Sequence, residues 1–204
     1  MENNLKIIFL DFDGVLNHEN WYTRRMNEVN SEDFTSFYPF YEFDPKSIDQ
    51  LNRIIDATGA KVVVSSTWRI GYDVVTLQSF LDRVGFIGEI IDKTPSFHAK
   101  GSNNEGQPIR YTIPRGCEIE WWLEEIADFR RINWDRDEQL KYLEKSKVKN
   151  YIILDDDSDM LYSQREHFIK TSTMYGLNDV VANKSIEILN TPLINLYYES
   201  DIPG

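Results

Sequence analysis

The apolar positions of the chain follow two alternating rhythms. Five short runs, at residues 6–10, 61–64, 86–91, 151–154 and 168–171, are dense in β-branched or aromatic side chains and have the length of buried strands. The segments between them repeat with helical period. Asp44 and Pro45 read as an N-cap followed by a first-turn proline, after which Ile48, Leu51 and Ile55 share one face until Gly59 ends the helix. A second helix starts near Asp73, carries Leu77, Phe80, Leu81 and Val84, and stops at Gly85. A third follows Pro114-Arg115-Gly116, where Ile119, Trp122, Leu123 and Ile126 recur at i, i+3, i+4 and i+7. Further helical pieces are expected at 135–145, 158–166 and 179–189. Strands alternating with helices predict an α/β fold, an open parallel sheet with right-handed crossovers and helices on both faces. Ligands bind such sheets beyond the carboxyl ends of the strands, near the switch point in strand order.

Two stretches break the rhythm. Residues 17–43 are polar and aromatic without clear period, and residues 92–115, with Lys100-Gly101-Ser102-Asn103-Asn104-Glu105-Gly106 at their centre, read as a long loop. Loops of that length in a compact domain are often lids or binding loops. No repeat or linker divides the chain, so one domain over 1–204 is expected, with a possible small cap or flap at 17–43.

Composition narrows the chemistry. Thirty-four acidic against 22 basic side chains give a formal charge of −12, which argues against extended grip on a nucleic-acid backbone. With 41% hydrophobic residues over 204 positions the chain can build a core, which excludes a disordered protein. The one cysteine, Cys117, can form neither an intrachain disulfide nor a thiolate metal site. A metal would therefore sit on oxygen or histidine, and a reducing, cytoplasmic setting is expected. The apolar run before Asp11 is too short for a secretion signal, and no stretch approaches the roughly 18 apolar residues of a membrane helix, so no membrane partner is expected.

The first strand runs into Asp11-Phe12-Asp13-Gly14-Val15-Leu16-Asn17. Carboxylates one residue apart at a strand end repel each other unless a cation or a proton shares the site, and a hard, oxygen-ligated ion such as Mg2+ fits that need. A calcium loop does not fit, because its fifth and twelfth positions would be Val15 and Tyr22. A solvated acidic turn would explain the motif alone. It has company, however: the run 151–154 ends in Asp155-Asp156-Asp157-Ser158-Asp159, and the run 61–64 ends in Ser65-Ser66-Thr67-Trp68-Arg69. Taken singly, the first of these could be a solvated charge run and the second a capping cluster.

In this order the three motifs resemble the haloacid dehalogenase (HAD) superfamily of phosphotransferases, over about 165 residues. Ser65-Ser66-Thr67-Trp68-Arg69, the stretch Arg115 to Leu123, and Ile153-Leu154-Asp155-Asp156-Asp157-Ser158-Asp159-Met160 are similar to the HAD domains of Swiss Army Knife RNA repair proteins and to the phosphatase domain of polynucleotide kinase-phosphatases. The resemblance implies a Rossmann-like fold and a phosphatase. Asp11 would be the nucleophile and Asp13 the general acid and base. Mg2+ would be held by the Asp11 side chain, the Asp13 carbonyl and Asp155, with Asp156 or Asp159 on metal-bound water. Ser65, or Ser66 if the register differs, would bond the phosphoryl oxygens, and Arg115 would supply positive charge where the family usually has lysine, with Lys149 as the other candidate. Arg69 and Asn17 are further candidates for substrate contact. His18, His98 and His167 are read as surface or hydrogen-bonded residues, and Trp121, Trp122 and Trp134 as packing. Trp21, Tyr22, Phe37, Tyr38 and Tyr41 could cover a substrate, with Arg24 and Arg25 on a distal phosphate, or simply pack a cap. The implied substrate is a nucleotide or a nucleic-acid terminal phosphate, as in nucleic acid repair. A sugar-phosphate phosphatase and a nonenzymatic binding module on the same fold are the alternatives.

Overall fold

The computed structural model describes residues 5–28, 43–102, 105, 108–124 and 148–191. Its centre is a five-stranded parallel sheet formed by β1 (Leu5–Leu10), β2 (Lys61–Val64), β3 (Ile90–Lys93), β6 (Val148–Asp155) and β7 (Phe168–Lys170), in the order β3-β2-β1-β6-β7. The chain builds outward from β1 to β3, then returns to the other side of β1. The switch point is therefore the crevice between β1 and β6, where Leu10 is in register with Leu154. Asp11 and Asp155 lie directly at that crevice, where the sheet rule puts a ligand.

Side-chain alternation divides the core between the two faces of the sheet. Ile8, Leu10, Val62, Val64, Ile152 and Leu154 pack with Leu51 and Ile54 of α2 (Pro45–Thr58), Leu77 and Leu81 of α3 (Val74–Asp82), and Ala182 and Leu189 of α5 (Asp179–Asn190). Ile7, Phe9, Val63 and Ile153 face the other way, toward Ile119 and Trp122 of α4 (Arg115–Glu124). Trp122 meets Phe9 edge-on at 5.3 Å, and its Nε1 donates to Asp92 Oδ2 at 2.9 Å. This packing carries α4, and with it Arg115, onto the face that Asp11 points toward.

The α2 signals operate as expected: the Asp44 carboxylate accepts from Lys46 N, Pro45 opens the helix and Gly59 closes it at φ +67°. Several other expectations give way. The run 86–91 enters the sheet only at Ile90, because Gly85 (φ +87°) turns the chain and Phe86 folds into the core beneath Gly88. Residues 158–166 hold only a 3-10 turn, Tyr162–Gln164. Buried Gln164 there accepts from Leu161 N and donates to Gly116 O, contacts a continuous helix would not leave free.

The stretch 92–115 is no loop. It contains an antiparallel hairpin of β4 (His98–Ser102) and β5 (Pro108–Thr112), whose turn chemistry masked its short period. The insertion after the Asp11–Asn17 motif begins with a helix, α1 (Glu19–Glu28), docked by Glu19 N and Asn20 N on the carbonyls of Thr173 and Met174. Expectations for Phe37, Tyr38, Tyr41, Ile126, Trp134 and the helix at 135–145 fall outside the described residues.

Candidate active site

Asp11 is buried just past the end of β1, and its own backbone N–H donates to Leu154 O, which fixes it against β6. Its Oδ1 accepts from Phe12 N at 2.8 Å and lies 3.1 Å from Arg115 Nη1. The same guanidinium nitrogen is 3.2 Å from Asp155 Oδ2, so one arginine bridges both strand ends. Asp11, Asp155 and Asp156 can bring one oxygen each within 4.8 Å of one another. Asp155 is fully buried, and its Oδ2 has no hydrogen-bond partner.

The titration behaviour follows from this crowding. Burial and the neighbouring Asp11 carboxylate push Asp155 up to about 7, against the pull of Arg115. Burial also raises Asp11, with Arg115, the Ser66 hydroxyl and Phe12 N–H opposing it. Burial works against the charge on Arg115, but Asp11 and Asp155 outweigh it and raise the guanidinium further. Ionised, the three carboxylates of this cluster carry two more charges than the one guanidinium balances. An oxygen-only donor set that includes a fully buried carboxylate fits a hard divalent cation.

Asp156 approaches the turn after β1 so closely that a Cβ on Gly14 would overlap its carboxylate; Gly14 also has φ +71°, which favours glycine. Thr173 Oγ1 donates to Asp156 Oδ2 at 2.7 Å, and Thr171 Oγ1 holds Gly14 O at 2.9 Å. Asp159 is placed differently. Its Oδ2 accepts from Arg115 N at 2.8 Å and its carbonyl accepts from Gly116 N, so it caps α4 and orients Arg115. Of the two outer-ligand candidates, only Asp156 joins the carboxylate cluster.

The two serines divide their work. Ser66 caps the 3-10 turn Thr67–Ile70 by accepting from Trp68 N and also reaches Asp11, whereas Ser65 Oγ is buried without a partner. Lys149 lies six residues before Asp155 in β6, roughly 20 Å away at the far end of the strand, so Arg115 is the cation at this site. Asp13 is exposed; its Oδ1 accepts from Asn17 Nδ2 at 2.8 Å and its Oδ2 from Trp68 Nε1 at 3.1 Å, so its side chain stands outside the three-carboxylate cluster.

Arg69 and Asn17, the further candidates for substrate contact, direct their side chains to protein partners. Arg69 directs Nη1 to the carbonyls of Ser65 and Ser66, Nε and Nη2 to Pro95 O, and Nη2 also to buried Glu118, so all five N–H groups have partners. Glu118 in turn accepts from Phe97 N at 2.8 Å. The pair ties the serine-bearing turn to α4 and to the base of the hairpin. Asn17 accepts from Gly14 N at 3.1 Å while donating to Asp13. Arg24 pairs with Asp44 at 3.2 Å, and His18 is buried between Asp44 Oδ2 at 2.9 Å and Met174 O at 3.1 Å. Thr173, Trp68 and Glu118 are contributors to which the sequence assigns no role, although Trp68 and Glu118 lie inside the motifs that carry the resemblance. For Thr173 the usable signal was the hydroxyl cluster Thr171-Ser172-Thr173 after β7, which repeats the strand-end chemistry of Ser65 and Ser66.

A parallel sheet with carboxylates at its switch point and a helix-borne arginine turned onto them is the arrangement expected of the HAD superfamily. Within it, the chain belongs to the family described as the HAD domain in Swiss Army Knife RNA repair proteins, whose model matches residues 7–182. That membership points to a hydrolase or phosphatase kind of enzyme, for which a phosphorylated substrate is implied, in a superfamily that generally uses Mg2+. No curated protein and no solved structure matches it. Among the described residues no helix is long and apolar enough to cross a membrane.

Proposed function

We propose that the protein is a Mg2+-dependent phosphomonoesterase that forms an aspartyl-phosphate on Asp11 and acts on a nucleotide or a nucleic-acid terminal phosphate. The observation that carries the reading is the single guanidinium of Arg115 bridging Asp11 and Asp155 at 3.1 and 3.2 Å beside a third carboxylate. Asp11 and Asp155, with Asp156 beside them, would hold the ion, joined by the Asp13 carbonyl as the family resemblance implies. Once bound, it neutralises the carboxylates and polarises the substrate phosphoryl group.

The chain's own groups supply the rest. An Asp11 carboxylate oxygen attacks phosphorus, and the bond to the leaving oxygen breaks as Asp13 delivers its proton there. Asp13, now a carboxylate, takes a proton from water as that water attacks the phosphorus of the acyl phosphate. Inorganic phosphate leaves and Asp11 is restored. Ser65 Oγ, with no partner of its own, donates to a phosphoryl oxygen, and Arg115 stabilises the negative charge spread over these oxygens in the transition state.

The nucleic-acid end is favoured by the family's description as part of RNA repair proteins. A formal charge of −12 suits a protein that holds a phosphorylated terminus rather than a long backbone. Release of phosphate from 3′-phosphorylated oligonucleotides, mononucleotides and sugar phosphates, each measured with Mg2+ and with chelator, tests the reading. Preference for the oligonucleotide ends supports it. Turnover of sugar phosphates alone would replace the substrate class, and no turnover of any phosphomonoester would overturn the activity.

A further inference from the structure

We propose that Trp68 is a positioning residue for the general acid, holding the Asp13 carboxylate through its indole N–H in one orientation at the substrate side of the site. The inference rests on the acid role of Asp13 proposed above and goes beyond it. Asp13 is exposed, yet each of its oxygens has one fixed donor, Asn17 Nδ2 at 2.8 Å and Trp68 Nε1 at 3.1 Å. An exposed carboxylate would ordinarily sample several rotamers, and two donors on opposite oxygens remove that freedom.

Neither neighbour can take a proton from Asp13. An indole N–H only donates. The Asn17 amide is oriented by a separate bond, because its Oδ1 accepts from Gly14 N at 3.1 Å, which leaves its NH2 facing Asp13. A proton on Asp13 therefore has no acceptor among these partners and remains available to a leaving oxygen.

Trp68 is also built as a rigid mount. Its ring contacts Phe12 at 5.6 Å, Phe43 at 5.4 Å, Tyr72 at 6.2 Å and Phe80 at 6.3 Å, so the aromatic cluster fixes the ring and leaves the N–H at its edge to reach Asp13. The same turn carries Ser65 and Ser66, and its backbone carbonyls at those two serines are held by Arg69. Phosphoryl binding and proton delivery thus share one short, braced segment of chain.

A general acid matters for a poor leaving group and hardly at all for a good one, which gives a test that a packing role would not pass. kcat/KM, which reports only the steps through leaving-group departure, would be measured for p-nitrophenyl phosphate and for an alkyl or nucleoside monophosphate in wild type, Trp68→Phe and Asp13→Asn. Trp68→Phe keeps the ring packing and removes the N–H. The expected result is a loss of about tenfold on the alkyl ester with less than a twofold change on p-nitrophenyl phosphate, a fraction of the ~100-fold or larger selective loss expected for Asp13→Asn. Equal losses on both esters, or no loss on either, while Asp13→Asn keeps its selectivity, would overturn the role of Trp68 and leave the acid in place. If Asp13→Asn itself shows no leaving-group selectivity, the acid assignment falls and this proposal falls with it. Should Trp68→Phe fold poorly, replacing Trp68 with benzothienylalanine, an isostere lacking only the N–H donor, gives the same comparison with the same readings.

Discussion

Replacing Asp155 with asparagine should stabilise the metal-free protein and abolish its response to metal. Asp155 has no exposed surface, shares one guanidinium with Asp11, and titrates near 7 rather than 3.8 because burial and the Asp11 charge both oppose its ionisation. That is about three powers of ten in proton affinity, so at ~1.4 kcal/mol each an ionised Asp155 costs the metal-free fold about 4 kcal/mol at pH 8. The sign follows from the raised pKa: the favourable contribution of the protonated form is complete below about 3.8 and is lost as pH rises through about 7. Asparagine removes the charge and keeps an oxygen for Asp157 N, which donates to Asp155 Oδ1 at 2.9 Å. Melting in chelator at pH 8 should therefore rise by roughly 10 °C in Asp155→Asn, and the advantage should shrink to about 1 kcal/mol by pH 4.5. Mg2+ at a hundred times its dissociation constant should add about 2.7 kcal/mol to wild type and nothing to the variant. An advantage that is absent at pH 8, or that is the same at both pH values, would refute the account of crowded carboxylates awaiting a cation.

Other expected outcomes follow from single contacts. Asp11→Asn should lower phosphate release from p-nitrophenyl phosphate by a thousandfold or more, to be read by absorbance, while circular dichroism stays native. Gly14→Ala places a Cβ into the Asp156 carboxylate at a backbone φ of +71°, and should cost about 2 kcal/mol or more in urea unfolding and weaken Mg2+ binding by calorimetry. Arg69→Lys cannot satisfy two serine carbonyls, Pro95 O and Glu118 with one ammonium, so we expect a loss of about 3 kcal/mol in thermal unfolding. Wild-type stability after that change would mean the Arg69 contacts are energetically idle.

What could be read from the sequence depended on how local the signal was. The α2 helix carried its whole specification in Asp44, Pro45, an apolar stripe and Gly59, so its ends were legible. The β4–β5 hairpin was not, because a two-stranded ribbon depends on register between His98 and Thr112 rather than on a buried apolar run. Residues 158–166 misled for a related reason: their apparent helical period is overridden by Gln164, whose amide is committed to Gly116, far away in sequence. Switch-point geometry was legible because Asp11 and Asp155 each follow an unmistakable strand, and neighbouring strands of a parallel sheet bring their ends together without further instruction.

Side-chain roles were legible only where charge could not be housed otherwise. Asp11, Asp155 and Asp156 converge at the strand ends, and burying or half-burying three carboxylates together is costly unless cations share the site. Arg69 shows the limit. From the sequence it is a basic residue behind a strand-end serine, the right type at the right spacing to touch a phosphate. In the fold its guanidinium is surrounded by carbonyls and Glu118, and it shapes the site by holding the carbonyls of Ser65 and Ser66. A cation that contacts a ligand must sit among groups the ligand and its counter-ion can engage, and a cation that braces a loop is tied to the main chain. Arg115 meets the first condition, since its Nη1 is shared between the strand-end carboxylates of Asp11 and Asp155, and Arg69, bound to the carbonyls of Ser65, Ser66 and Pro95, meets the second. Motif spacing identifies where a positive charge belongs; only the partners of each guanidinium separate the two arginines.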